Sequence, residues 1–288
     1  MNPGDVLNDY SLEITARDVD RLGATGGYLT RGTPISIAFL PHDDVDELAN
    51  VAAAVRRLGF IPVPHIAARR IKSTHELVRF LTKLRETADV TRVFVIAGDL
   101  SAPLGPFDDA LAIIRSGLLH SYGFHHVGIT GYPEGHQQIA DGNLLQAMID
   151  KLAALADAGH SAEIVTQFLF DADTVLAWLT RLRSDGVYAP VRIGLPGPTS
   201  VQSLLRFAAR CGVAVSANVM AKYGVSITRL FSTAKPDLML NELTARIDST
   251  AHGIVKAHLY PFGGLAKTAE WAATFAPTNP ALRPSEPG

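Results

Sequence analysis

The chain has 288 residues, 47% of them hydrophobic, and a formal net charge of -2 at pH 7. The chain is therefore long and apolar enough to bury one large hydrophobic core, and roughly 250 residues is the usual size of a (β/α)8 barrel. A charge so close to zero provides no basic field for nucleic acid or anionic lipid, so we expect a small-molecule partner and no nucleic acid or membrane partner.

The compartment is predicted from the cysteine and from the N-terminal segment. A single cysteine, Cys211, excludes an intramolecular disulfide and indicates a reducing compartment. The N-terminal segment MNPGDVLNDY lacks the positively charged start and apolar run of a secretion signal, and no stretch is long and apolar enough to cross a bilayer. We therefore expect a cytoplasmic protein.

Strand-like and helix-like segments alternate through the first half of the chain. Asp43 and Asp44 are placed to cap a helix after the second strand, and Ser73 to cap a helix after the third. Pro106 is expected to open the helix that follows the fourth strand. The predicted strands cover residues 11–14, 34–40, 60–65 and 92–97.

The same alternation continues in the second half, with one ambiguity. Strands are predicted at 127–130, 163–170 and 191–195, but both 213–216 and 255–260 could supply the eighth. We choose 255–260, which leaves extra helical segments, including 226–233 and part of 238–249, between strands seven and eight. The chain is thus predicted to form a single α/β domain, a (β/α)8 TIM barrel over residues 1–276, followed by a disordered, proline-rich tail over 277–288.

Two acidic residues lie at the C-terminal ends of predicted strands, where the chemistry of such barrels collects. Glu13 alternates with Leu12 and Ile14, so it should point into the barrel if its neighbours face the helices. The alternative is a glutamate in a structural ion pair. Asp99 follows Gly98 and is expected to share a face with the valines and the alanine of its strand. The alternative for Asp99 is an ordinary helix cap.

An amide and a glycine-containing turn follow two later strands. Gln167 is expected to share a face with Val165 and Leu169 and offers both a donor and an acceptor to a heterocycle, although a satisfied core glutamine is the alternative. The turn GYPEGH carries Tyr132 and His136, which a purely structural turn would not need. The histidines show no metal-ligand spacing beside a carboxylate, so no metal site is predicted. Because these candidate site residues include no nucleophile, a cofactor is expected to carry the chemistry.

Taken together, SLEIT, PISIAF, VPHIAAR, VIAGDL, GYPEGH, VTQFLFD, PGPTS and HLYPF resemble the methylenetetrahydrofolate reductase family over about residues 10–271. The resemblance implies a barrel that binds FAD and folate over its C-terminal rim. It also implies interconversion of 5,10-methylenetetrahydrofolate and 5-methyltetrahydrofolate by hydride transfer through FAD, with NADH or NADPH as electron donor.

The resemblance also assigns roles to individual residues. Glu13 matches the general acid that assists opening of the five-membered ring, and Asp99 matches an aspartate near flavin and pterin. Gln167 matches the glutamine that binds the pterin, and Tyr223 falls near an aromatic residue that packs on folate. The positions implied for the flavin and its ribose and phosphates are His65, Gly98, Asp99, Tyr132, His136, Asp150 and Lys151.

Several positions depart from the family pattern. SLEITARD replaces the usual FEFFPP start, and Ala38 and Ala97 stand where the family has a threonine and an arginine. Two other classes of function are therefore kept as alternatives: a flavin-independent, pterin-binding methyltransferase, and a non-catalytic folate-binding subunit. Either reaction direction and a homo-oligomeric state are compatible with the sequence.

Overall fold

Eight parallel strands close into a barrel in a computed structural model that describes residues 3–136, 139–211, 233–234 and 236–275. The strands follow one another around the barrel in chain order, as expected for repeated βα units. They are β1 (Ser11–Ile14), β2 (Pro34–Ile37), β3 (Ile61–Ala67), β4 (Arg92–Ile96), β5 (His126–Gly131), β6 (Ser161–Phe168), β7 (Val191–Pro196) and β10 (Val255–Tyr260). A separate antiparallel pair joins β8 (Thr199–Ser200) to β9 (Thr233–Ala234). The predicted fold class is confirmed.

The closing strand is β10, as chosen from the sequence. It pairs with β1 through Ser11 and His258 and with β7 through Val255 and Val191. The rival segment at 213–216 lies outside the described residues, as do 226–232 of the predicted helical excursion. The tail predicted at 277–288 also lies outside them.

Helices cover the outside of the barrel and begin at caps of the expected type. Side chains of Asp44, Ser73 and Asp171 each accept a backbone N–H in the first turn of the following helix. The helices are α1 (Pro3–Leu7), α2 (Val19–Gly23), α3 (Val45–Arg57), α4 (Thr74–Ala88), α5 (Ala110–Arg115), α6 (Leu118–Ser121), α7 (Asp141–Asp157), α8 (Ala172–Ser184), α9 (Val201–Cys211), α10 (Asp237–Arg246), α11 (Ser249–His252) and α12 (Leu265–Ala273). None of the described helices has the length and apolar character needed to cross a bilayer.

The predicted start of α5 is wrong. Pro106 lies in the preceding loop, and the helix begins after Asp109, whose carboxylate accepts the N–H of Ala112. The loop is held in place by close packing, because a Cβ on Gly105 would lie 2.4 Å from the carbonyl oxygen of Ile71. Tertiary contact, rather than the helix-start preference of proline, therefore sets this boundary.

Alternation along the strands divides outward from inward side chains, but it fails at two rim positions. The pairing of β6 with β7 shifts register between Val165 and Phe168. Val165 therefore packs with Val63 and Phe94 inside the barrel, while Leu169 joins the outer core, which is the apolar layer between the strands and the helices. The expected common face of Val165, Gln167 and Leu169 is therefore wrong. After β4, Gly98 adopts a φ of 93°, which ends the alternation before Asp99.

Candidate active site

Glu13 points into the barrel between two buried histidines. Its neighbours Leu12 and Ile14 lie in the outer core, so alternation places the carboxylate inside, as predicted. Glu13 Oε2 lies 3.7 Å from His65 Nε2 and 3.6 Å from His258 Nε2, and the glutamate side chain is 23% exposed. The carboxyl group is thus reachable from the barrel mouth while its inner side is enclosed by imidazole rings.

The two histidines are held by inward-facing serines and by packing. Hydrogen bonds of 2.7 Å and 2.8 Å join Ser11 Oγ to His258 Nδ1 and Ser36 Oγ to His65 Nε2. Burial lowers the pKa of His65 to about 4, although the Glu13 charge partly opposes this shift. His65 is therefore neutral near pH 7 and offers Glu13 a polar neighbour without a full positive charge.

Asp99 lies on the solvent side of the rim in an ion pair with Arg70. Arg70 Nη2 donates to both carboxylate oxygens, at 2.7 Å and 2.9 Å. The Asp99 side chain is 60% exposed, whereas that of Arg70 is 10% exposed. The alternative of a helix cap is wrong, because α5 is capped by Asp109. Arg70 was not singled out from the sequence, since nothing in the run ARRIK indicates which carboxylate it meets.

Gln167 lies in the bulge of β6 and is linked to the Glu13 cluster through a tyrosine. Its Oε1 accepts the N–H of Phe168 at 3.2 Å. Tyr260 donates its hydroxyl hydrogen to the carbonyl oxygen of Thr166 at 3.0 Å, and its ring packs edge-on against His258 at 4.7 Å between centroids. The bulge, Tyr260 and His258 therefore form one connected path from Gln167 to Glu13.

The GYPEGH turn forms a separate part of the rim next to α7 and α8. The rings of Tyr132 and His136 meet edge-on at 5.3 Å. Tyr132 also lines a cavity of about 220 Å³ between the two helices, together with Trp178. Burial, together with the nearby charge of Asp171, raises the pKa of Glu134 in this turn to about 7. Glu134 was not predicted as a site residue.

The remaining predicted contacts lie on α7 or outside the described chain. Asp150 accepts a hydrogen bond from Gln146 at 2.8 Å. Burial lowers the pKa of Lys151, and the charge of Asp109 opposes this shift. Lys151 therefore has an acidic neighbour in the N-cap residue of α5. Tyr223 falls in 212–232, outside the described residues.

An aromatic cluster at the ends of β6 and β10 was missed from the sequence. Phe207 and Phe262 stack at 4.2 Å between centroids, and Phe168 meets Phe262 edge-on at 4.7 Å. The motifs VTQFLFD and HLYPF carry Phe168 and Phe262 among rings at nearly alternate positions, which was a readable signal, whereas Phe207 comes from α9. Within the described ranges, no group of three or more His, Cys, Asp or Glu side chains is arranged to hold a metal ion.

A closed parallel barrel with a half-enclosed inward carboxylate defines a (β/α)8-barrel protein with a polar site inside its strands. A family model described as methylenetetrahydrofolate reductase matches residues 49–260. The chain belongs to the methylenetetrahydrofolate reductase family. The matched region contains His65, Asp99 and Gln167, whereas Glu13 precedes it.

Curated relatives carry the same family name at modest identity. Methylenetetrahydrofolate reductase 1 of Schizosaccharomyces pombe is 31% identical over 94 residues, which are 33% of this chain and 15% of that protein. The 5,10-methylenetetrahydrofolate reductase of Pectobacterium carotovorum is 26% identical over 159 residues, 55% of this chain and 51% of that protein. Methylenetetrahydrofolate reductase (NADH) 1 of Arabidopsis thaliana is 27% identical over 176 residues, 54% of this chain and 27% of that protein. The chain thus spans about half or less of these relatives.

A solved structure supports the fold. An uncharacterized protein from Clostridium thermocellum that binds two copies of 5-methyl-5,6,7,8-tetrahydrofolic acid superposes with a TM-score of 0.59. It is 12% identical, and the match covers 94% of this chain and 95% of that protein. At this identity the likeness concerns the architecture of the barrel.

Proposed function

We propose that this protein is a flavin-dependent oxidoreductase that interconverts 5,10-methylenetetrahydrofolate and 5-methyltetrahydrofolate. The observation that carries the proposal is the inward carboxyl group of Glu13, held between His65 and His258 on the inside of a barrel of this family. An acid is needed there because opening the five-membered ring breaks a carbon–nitrogen bond and leaves an amine that must gain a proton.

The protein's part in the reductive direction is proton donation. Protonated Glu13 gives its hydrogen to N10 of the folate as the bond from the bridging carbon to N10 breaks, and both bonding electrons stay on N10. The carbon remains bound to N5 as an iminium cation, which the new Glu13 carboxylate stabilises by opposite charge. Addition of a hydride to that carbon then gives the methyl group, and the oxidative direction reverses these steps.

Gln167 and Asp99 are proposed to bind the pterin ring, and Tyr223 to pack on the folate. Gln167 stands beside the path of contacts that leads to Glu13, and its side-chain amide can serve as donor and acceptor to one heterocyclic edge. The Arg70 ion pair fixes the position of the Asp99 carboxylate at the rim. Both strand ends open on the same face of the barrel.

We propose that His65, Gly98, Tyr132 and His136 contact the ring end of a flavin. His65 lies inside the barrel, Gly98 follows β4 with a φ of 93°, and the rings of Tyr132 and His136 meet after β5. Asp150 and Lys151 are proposed for the ribose and phosphates, with Lys151 beside Asp109. When bound, FAD would supply or take up the hydride, and NADH or NADPH is proposed as its electron donor.

The purified protein tests both parts of this proposal. We expect flavin absorbance bands that bleach when 5-methyltetrahydrofolate is added without oxygen. Glu13→Gln should lower turnover in both directions by roughly 100-fold to 10,000-fold while folate still binds, because the amide has no acidic hydrogen to give. Glu134→Gln changes a second half-buried rim carboxyl, in the turn that carries Tyr132 and His136, and should keep most of the turnover if Glu13 alone supplies the proton.

Three outcomes would overturn parts of the proposal. A colourless protein that transfers a methyl group from 5-methyltetrahydrofolate would favour the flavin-independent methyltransferase. Tight folate binding without turnover, unchanged in Glu13→Gln, would favour a non-catalytic folate-binding subunit. Equal losses in Glu13→Gln and Glu134→Gln would remove the acid role from Glu13.

A further inference from the structure

The two histidines that flank Glu13 are alike in distance and burial. Their Nε2 atoms lie 3.7 Å and 3.6 Å from the same carboxylate oxygen. Relative exposure is 6% for His65 and 2% for His258, so water does not compete for either ring. A hydrogen carried on Nε2 of either imidazole would therefore lie beside Glu13 Oε2.

The histidines differ in which ring nitrogen a serine occupies. Ser36 bonds Nε2 of His65, the same atom that faces Glu13, whereas Ser11 bonds Nδ1 of His258 and leaves its Nε2 to the carboxylate. A neutral imidazole has one N–H and one lone pair. Of the two rings, therefore, only His258 can bond its serine through one nitrogen and Glu13 through the other.

We propose that Ser11 and His258 form a positioning pair for Glu13, in which the Ser11 hydroxyl donates to Nδ1 and so fixes the imidazole hydrogen on Nε2, facing Glu13 Oε2. This inference rests on the proposed function and assigns it a further pair of residues. An N–H aimed at Oε2 keeps that oxygen an acceptor, so the acidic hydrogen of Glu13 resides on Oε1. The same N–H stabilises the carboxylate that remains after the proton has been given.

The packing around His258 keeps its ring in this orientation. Tyr260, two residues further along β10, meets the ring edge-on at 4.7 Å and is itself anchored by its hydroxyl. The separation of 3.6 Å between His258 Nε2 and Glu13 Oε2 is longer than a hydrogen bond, and we expect it to shorten with folate bound, because catalytic hydrogen bonds often tighten in the reacting complex.

The charged groups on the packed strands act elsewhere. Arg192 of β7 donates to Glu163 at 2.7 Å, and Lys256 of β10 donates to the carbonyl oxygen of Asp5 at 3.0 Å. Arg192 and Lys256 both lie nearer the N-terminal ends of their strands than the residues that are level with Glu13. Among the described residues, the ion-pair partners of Glu13 are His65 and His258, and the titratable Tyr260 packs on the latter. His65 stays neutral above about pH 4.

Ser11→Ala and Ser36→Ala give a matched comparison in the same 288-residue chain. Both serines are almost fully buried, and each change removes one hydrogen bond to a histidine beside Glu13. We expect Ser11→Ala to lower kcat about tenfold with little change in KM, and to raise the apparent pKa of the acid by about one unit. Ser36→Ala should leave that pKa in place. Identical pH profiles for the two variants would overturn the inference.

A second readout is independent of turnover. In protein labelled with nitrogen-15 histidine, nitrogen shifts should show His258 with its hydrogen on Nε2 and a mixture of both tautomers in Ser11→Ala. A wild-type His258 with its hydrogen on Nδ1 would overturn the pair. If the wild type converts no folate, the proposed function fails. The role of the Ser11–His258 pair is then tested by titrating Glu13 and following its carbon-13 shifts. The pair is supported if Ser11→Ala raises the pKa of Glu13 and Ser36→Ala does not, and overturned otherwise.

Discussion

Replacing Glu163 by glutamine should destabilise the fold strongly, and this loss should shrink in acid. Arg192 is 5% exposed, and its Nε donates to Glu163 Oε2 at 2.7 Å. Burial alone would raise the pKa of Glu163, but the neighbouring His126 and the charge of Arg192 outweigh burial and lower the pKa to about 2. His126 Nε2 lies 3.2 Å away without good hydrogen-bond geometry, so Arg192 is the stronger cause.

The magnitude follows from the pKa. A fall from the ordinary 4.5 to about 2 corresponds to about 3 kcal/mol of stability. Because the pKa is lower in the folded state, this stability is present above pH 4.5 and is lost as the pH falls towards 2. Leaving a buried arginine without its partner costs about 3–5 kcal/mol by itself, which agrees in size.

Urea unfolding of the wild type and the variant measures the difference directly. We expect Glu163→Gln to lose about 3 kcal/mol near pH 7 and roughly half of that near pH 3. Asp9→Asn is the matched control on the other side of Arg192, since that carboxylate is 62% exposed and should contribute less than about 1 kcal/mol. A loss that does not change with pH, or an equal loss in Asp9→Asn, would refute the reasoning.

Three further predictions can be checked with the same methods. Gly98→Ala should destabilise the fold by about 1–2 kcal/mol in urea, because φ is 93° there, and an unchanged midpoint would count against that strain. Ser73→Ala should cost about 1 kcal/mol through loss of the α4 cap, and a loss below experimental error would show that the cap is unimportant. Glu134→Gln should stabilise the protein near pH 8 but not near pH 5, because burial and Asp171 disfavour the charged carboxylate, and a pH-independent effect would contradict this.

Features set by local pattern were predictable from the sequence. Alternation in SLEI and the apolar neighbours Leu12 and Ile14 were enough to place Glu13 inside the barrel. The pattern leaves 213–216 and 255–260 as rivals for the closing strand, but alternation in VKAHLY does place His258 and Tyr260 on the inner side of that strand. Short polar residues before periodic runs gave the helix caps correctly.

Features set by tertiary contact were not predictable in this way. The bulge in β6 turns Val165 and Leu169 to opposite sides, and no residue type in EIVTQFLF marks it. Asp99 meets Arg70 through a long side chain from the neighbouring strand end, which alternation cannot forecast. The serines that select a nitrogen on each histidine come from other strands, so their effect depends on strand register alone.

Single-turnover mixing with folate labelled at the one-carbon position tests the central claim most directly. Purified protein combined with 5-methyltetrahydrofolate in the absence of oxygen should yield labelled 5,10-methylenetetrahydrofolate in step with loss of flavin colour, and Glu13→Gln should slow both together. If the label stays in the methyl group while the protein is folded and binds the folate, the assignment of one-carbon redox chemistry to this barrel is contradicted.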